Sequence, residues 1–305
     1  MVHIYKMYTF YQYAYLFLKK SRGIPMHINE LPIGVFDSGL GGLTAVREIK
    51  KILPGEDILY FGDTARLPYG TRSPEIIQKY ACDDMNFLLT HSVKAILVAC
   101  GTVSSTAIDL LHKNFDTPIF GVVEPASERA CAVSQSGRIA VLATPSTIRT
   151  GAFNRAIEKI RPDAKVLGVG CPMFVPLVEN GYIARDCEVT RAIAAEYVSK
   201  LLDFDPDVII LGCTHYPLIK ELIGDVAQKL LARPVTLIDS GSAAADALKE
   251  HLEKESLLRH GVGHASYFVS DRPYDFSKTA SRFLGEDAEN VTQIDIEKFL
   301  YTPKA

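Results

Sequence analysis

The polarity pattern alternates between compact apolar runs and longer stretches of mixed polarity. Runs at 33–36, 57–63, 95–98, 117–125, 138–144, 164–171, 207–211 and 235–241 are rich in Ile, Val and Leu and are bounded by Gly, Pro, Asp or Thr. That is the composition of strands buried on both faces of a parallel sheet. The segments between them predict helices at 45–50, from Ser73-Pro74-Glu75 to about 92, from Thr147 to about 160, and over about 188–202 and 243–255. Ser73 reads as a cap with Pro74 at the first helical position. A Ser or Thr is expected to cap the helix that follows the 37–44 loop. Segment 265–269 reads as a further strand, with helical pieces at 271–284 and 291–299.

The element order runs twice through the same plan. In each pass the third apolar run stops near a cysteine, Cys100 in Val98-Ala99-Cys100-Gly101-Thr102 and Cys213 in Leu211-Gly212-Cys213-Thr214-His215. The order predicts an α/β protein of two similar doubly wound domains, each with a mostly parallel sheet and with the active site in the cleft between them. The expected division is an N-terminal extension over 1–30, a first domain over 31–124 plus 240–300, and a second over 125–239. Open α/β sheets bind ligands at the carboxyl edge of their strands. Both thiols fall on such an edge, so they read as a facing pair.

Composition narrows the picture. The chain has 305 residues, 48% of them hydrophobic, and a formal net charge of -3. Nucleic acid and anionic membrane surfaces need a concentrated basic footprint and are not expected as partners. The six cysteines contain no C-x-x-C pair, and a chain of this size needs no disulfide staples, so a reduced, cytoplasmic setting is expected. The aromatic stretch 7–18 is followed, not preceded, by Lys19-Lys20-Ser21-Arg22 and lacks a small-residue cleavage site. It fits neither a signal peptide nor a membrane span.

A thiol transfers protons well when its pKa lies near working pH. Free Cys starts at about 8.5 and moves with neighbouring charge and burial. His215 stands two residues after Cys213 and could poise it, while Asp37 ends a neighbouring strand and could assist or orient Cys100. One thiolate facing one thiol is what racemisation at carbon without a cofactor requires. Cys82, Cys131, Cys171 and Cys187 take the ordinary role of small buried apolar side chains. The glycines of Asp37-Ser38-Gly39-Leu40-Gly41-Gly42 lack the Lys-Ser/Thr of a phosphate loop. Ser38, Tyr69, Gly70, Thr102 and Thr214 offer hydroxyls and amides on the same edge, suited to the carboxylates of a small zwitterion.

The motifs Gly34-Val35-Phe36-Asp37-Ser38-Gly39-Leu40-Gly41-Gly42, Asp63-Thr64-Ala65-Arg66-Leu67-Pro68-Tyr69-Gly70, Val98-Ala99-Cys100, Cys171-Pro172, Leu177-Val178-Glu179 and Leu211-Gly212-Cys213-Thr214-His215-Tyr216-Pro217 resemble, in order, the glutamate racemases of the aspartate/glutamate racemase family. The resemblance spans about Ile33 to Leu284. It implies an isomerase that interconverts L- and D-glutamate with no cofactor or metal and supplies peptidoglycan synthesis, and so the cell wall and cell shape. By that pattern Cys100 and Cys213 are the two acid/base residues, with Asp37 assisting the first and His215 the second, and Glu179 supporting the Cys213 side. Asp37, Ser38, Tyr69, Gly70, Gly101, Thr102, Thr144, Thr147, Thr214 and His215 would line the substrate site. The resemblance leaves room for a homodimer.

One position departs from it. The family usually reads Cys-Asn-Thr where this chain has Cys100-Gly101-Thr102. The expectation is a lost substrate hydrogen bond, worth about 1.5–3 kcal/mol toward a charged group, and vacant space beside Cys100. Racemisation of aspartate or another small amino acid therefore stays open, as does a binding or regulatory homologue with weakened catalysis. A Cys-His hydrolase using Cys213 and His215 is a further alternative, though it gives Cys100 and Asp37 no task.

Overall fold

The structure, a computed structural model, describes residues 27–289 and 291–302. The expectations for the aromatic stretch 7–18 lie outside the described residues. Among the described residues, ten strands form two sheets. The first holds β1 (Ile33–Asp37), β2 (Ile58–Gly62), β3 (Ala95–Val98), β4 (Ile119–Gly121), β9 (Ala265–Val269) and β10 (Val291–Gln293), in the order β10-β9-β2-β1-β3-β4. The second holds β5 (Arg138–Ala143), β6 (Lys165–Gly170), β7 (Val208–Leu211) and β8 (Thr236–Asp239), in the order β6-β5-β7-β8. Every pairing is parallel.

The two passes share one topology: β2-β1-β3-β4 and β6-β5-β7-β8 are the same order shifted by four strands. In each, the chain lays the second strand on one side of the first and the third on the other, which opens a crevice at the carboxyl end between first and third strands. Asp37 and Cys100 flank that crevice in the first sheet, and Thr144 and Cys213 in the second. The central strands β1, β3 and β7 are buried along their whole length, which is why they read as unbroken apolar runs. A continuous apolar core runs through both halves, from Val35 and Leu97 in the first sheet to Leu142 and Leu211 in the second.

Some boundaries differ from the sequence reading. The 117–125 run is strand only over Ile119–Gly121, and Glu124 and Pro125 belong to the helix Val123–Val133. Pro125 sits in that helix's first turn, where a missing N–H costs nothing. Segment 291–299 is not helical throughout: β10 adds an edge strand and only Ile296–Phe299 turns, capped by Asp295 accepting from the Glu297 amide. The helix after Thr144 breaks at Gly151, φ +64°, into Pro145–Thr150 and Ala152–Ile160. Helix Leu43–Ile52 begins at Gly42 with no side-chain cap, and Ser73 makes no capping hydrogen bond to helix Pro74–Leu89. The Asp37 carboxylate supplies order at the first of these turns instead, accepting from the Gly39 amide at 3.0 Å.

Candidate active site

The carboxyl edges of the two sheets meet over a cavity of about 560 Å³. Ser38, Tyr69, Gly70, Cys100, Gly101, Thr102, Thr144, Glu179, Cys213, Thr214 and His215 all line it. Two expected lining residues stand behind the wall. Asp37 is 1% exposed at the end of β1, and Thr147 is 1% exposed with its hydroxyl 3.0 Å from that of Thr144.

Cys100 caps the helix Gly101–Thr106, and its thiol donates to Ser38 Oγ at 3.6 Å. Burial pushes this thiol up to about 12, with the Asp37 charge adding to the rise. Burial also pushes the Asp37 carboxyl up, opposed by the charge of His215 and by the amides of Gly39 and Gly42. Asp37 Oδ1 is buried with no hydrogen-bond partner among the described residues. A carboxylate oxygen left so is costly unless the site uses it.

The Cys213 side is built differently. Its sulfur lies 3.9 Å from His215 Nδ1, and His215 Nε2 lies 3.0 Å from Glu179 Oε1. Burial alone would lower the His215 imidazole, but the hydrogen bonds to Cys213 and Glu179 outweigh it and raise the group to about 10. At neutral pH the ring is therefore a cation, donating to the sulfur on one side and to the carboxylate on the other. One thiol thus has a carboxylate for a neighbour and the other an imidazolium. The two sulfurs are close enough for charge on Cys213 to raise Cys100. One side of the cavity thus holds a buried thiol kept protonated and the other a sulfur beside a cation, the unequal pair that proton relay between two faces needs.

Side chains from both halves knit the cavity floor. Thr102 and Thr144 share a hydrogen bond at 3.2 Å, and Thr44 Oγ1 donates to the Thr214 carbonyl at 2.9 Å. A Cβ on Gly41 would fall 2.1 Å from Thr214 Oγ1, so the loop after β1 needs glycine to approach.

Three expectations change. The space foreseen beside Cys100 is absent: a Cβ on Gly101 would stand 2.4 Å from the Gly212 carbonyl oxygen, because that strand end occupies the place. The Tyr69 hydroxyl does not point at the cavity but bonds to Asp63, with Asp84 Oδ2 at 3.2 Å. Cys171, expected to be structural, is in the cavity wall, with its thiol turned to the Val169 carbonyl at 3.4 Å. Sequence reasoning missed Arg149, which among the described residues is the one Lys or Arg on the wall. It stands four residues after Pro145, also on the wall, a spacing that shares a helix face.

Behind the Tyr69 wall, Arg66 is 9% exposed and binds three carboxylates: Asp63 at 2.5 Å, Asp83 at 2.8 Å and Asp84 at 2.8 Å. Ser270 and the Tyr301 amide donate to Asp63 and Asp83, which ties the C-terminal part of the chain to this wall.

The model of the Asp/Glu/hydantoin racemase family matches residues 33–248. The chain is 44% identical over 267 residues to a glutamate racemase of Geobacter metallireducens, covering 87% of this chain and 97% of that one. It is 41% identical to one of Persephonella marina, covering 88% and 98%. Among solved structures it is similar to the glutamate racemase of Francisella tularensis in complex with D-glutamate, with TM-score 0.81, 35% identity, and 89% and 100% of the two chains covered. The Thermus thermophilus glutamate racemase in complex with β-chloro-D-alanine matches with TM-score 0.79, 39% identity, and 88% and 99% covered.

Proposed function

The chain belongs to the Asp/Glu/hydantoin racemase family, and from that premise we propose that it interconverts L- and D-glutamate through Cys100 and Cys213. The observation that carries this reading is the placement of two thiols, one from each sheet, on the wall of a single cavity with oppositely charged neighbours.

One thiolate takes the Cα proton, and the electron pair left on carbon delocalises into the α-carboxylate. The other thiol delivers its proton to the opposite face, so the two sulfurs exchange protonation states in each turnover. His215, held cationic by Glu179, stabilises the thiolate of Cys213. Asp37 accepts or orients the proton of Cys100 through the pair's shared polar surroundings with Ser38. Ser38, Thr102, Thr144 and Thr214 offer hydroxyls to the substrate's carboxylates, and Gly70 an uncrowded backbone. D-Glutamate so made would enter peptidoglycan.

All six cysteines are free, and among the described residues no helix is long and apolar enough to cross a membrane. Both observations support a cytoplasmic enzyme. A homodimer completes the proposal and is checked by analytical ultracentrifugation.

Incubation of the purified chain with L-glutamate, D-glutamate and L-aspartate, followed by chiral chromatography, tests the substrate. Equal final amounts of the two glutamate enantiomers from either start are expected. Turnover of aspartate with none of glutamate would replace the proposed substrate.

A further inference from the structure

We infer that Arg282 is a positioning residue for the Cys213 side of the site: it grips the carbonyls that end the helix Phe174–Glu179 and so holds the Glu179 carboxylate against His215. It acts from behind the cavity wall, through Glu179. The inference rests on the racemase reading above, but its first readout needs no turnover.

Arg282 Nη1 donates to the Glu179 carbonyl at 2.8 Å and to the Val178 carbonyl at 3.4 Å. The last carbonyls of a helix have no partner within it, so a donor from elsewhere fixes where the helix stops. The turn that follows is shaped to receive this donor. Gly181 has φ +86°, and a Cβ there would lie 3.2 Å from Arg282 Nη2, so the guanidinium rests on bare backbone. The Gly181 amide donates to the Val178 carbonyl at 3.0 Å and the Tyr182 amide to the Leu177 carbonyl at 3.0 Å, which closes the helix end. Arg282 is itself held firm. It lies in the helix Pro273–Leu284, whose Phe276 and Phe283 are buried, and the Phe276 ring is 6.1 Å from that of Tyr60 in β2. Phe283 meets the His215 ring edge-on at 5.4 Å. One helix thus touches both members of the His215–Glu179 pair, the ring through Phe283 and the backbone under the carboxylate through Arg282. The Glu179 side chain is 37% exposed, and a carboxylate so open to solvent gains little from pairing unless its place is fixed.

The sign of the effect separates positioning from charge. Removing a cation near His215 would by itself favour the imidazolium and raise its transition, whereas a Glu179 set loose lowers it. Cys213 on the same loop, Glu179 from the helix Phe174–Glu179 and Asp37 at the end of β1 face the imidazole, and all three remain in the variant. The imidazole is read by ring-nitrogen NMR of histidine-labelled protein from pH 6 to pH 11, its signal assigned by its loss in His215→Asn. Arg282→Met keeps an apolar stem but no donor. It should bring the His215 transition down by about 0.5–1 pH unit from its position at about 10, and the descending limb of kcat/KM with it. Added to Glu179→Gln it should bring no further fall, because the charge it positions is already gone. Arg233→Met is the control: Arg233 donates in the same way to the carbonyls of Asp205 at 2.9 Å and Pro206 at 2.8 Å, and its loss should leave His215 in place. Thermal melts separate loss of fold from loss of position. Should Arg282→Met not fold, Arg282→Lys replaces it; an ammonium cannot reproduce the planar fork, and a fall of about 0.3 pH unit is expected. A transition that stays in place or rises in a folded Arg282 variant overturns the inference. An equal fall in Arg233→Met does the same, as does a double variant whose fall is the sum of the two singles. Absence of glutamate turnover in the wild type would overturn the racemase reading instead, and the NMR result would stand apart from it.

Discussion

Replacing Glu179 by Gln removes the charge that holds His215 protonated and leaves the cavity's shape nearly intact. The contact is 3.0 Å, with the His215 side chain 9% and the Glu179 side chain 37% exposed. A hydrogen bond to a charged group is worth about 1.5–3 kcal/mol. Because more than a third of Glu179 meets solvent, screening selects the lower end, about 1.5 kcal/mol. One pKa unit is about 1.4 kcal/mol, so the His215 transition should fall roughly one unit from its position at about 10. A raised imidazole pKa means that the cation persists below about 10 and is lost as pH rises through it. The descending limb of kcat/KM against pH should therefore move down about one unit. At pH 10 that is a further loss of about fivefold, and at pH 7 the variant should stay within about threefold of wild type. The equilibrium constant between enantiomers is unity, so kcat/KM must fall equally in both directions. The assay is a circular-dichroism rate profile from pH 6 to pH 11. A limb that stays in place, or a loss equal at every pH, would refute the assignment of Glu179 to His215.

Cys100→Ser and Cys213→Ser should each lose about 10²–10⁴-fold in kcat, the range of a removed acid/base group, measured by chiral chromatography at fixed protein concentration. Asp37→Asn keeps an oxygen for the Gly39 amide but withdraws the buried charge beside Cys100, so kcat should fall about 10²-fold with little change in the urea midpoint. Arg66→Met takes the guanidinium from three buried carboxylates, with Lys79 at 3.5 Å still beside Asp83, and should destabilise the fold by about 3–5 kcal/mol, read from urea unfolding; a loss under 1 kcal/mol would show the cluster to be inessential.

The fold was legible where burial is symmetrical. β1, β3 and β7 have neighbours on both faces and both edges, so nothing but apolar residues serves, and the sequence carries that demand openly. β10 is an edge strand of three residues, two of them exposed, and its Val291-Thr292-Gln293 carries no such mark. The thiol pair was legible because both cysteines end strands at equivalent places in a repeated order. What escaped notice depends on contacts between distant parts of the chain. Gly101 looked like missing bulk, but the carbonyl that fills the place comes from Gly212 in the other half. The Tyr69 hydroxyl turned away because Asp63 and Asp84, on a strand end and a helix, converge behind it. Asp37 and Thr147 were placed among the right neighbours but one layer too shallow.

The central claim is that two different groups serve the two faces of Cα, and hydrogen exchange at that carbon tests it most directly. L-Glutamate is turned over in heavy water and quenched while conversion is still small, and both enantiomers are weighed by mass spectrometry. Two thiols predict that the D-glutamate formed carries deuterium at Cα from the start while the recovered L-glutamate stays unlabelled. D-Glutamate that retains the original hydrogen, or label entering both enantiomers together, would mean one group serving both faces and would contradict the account.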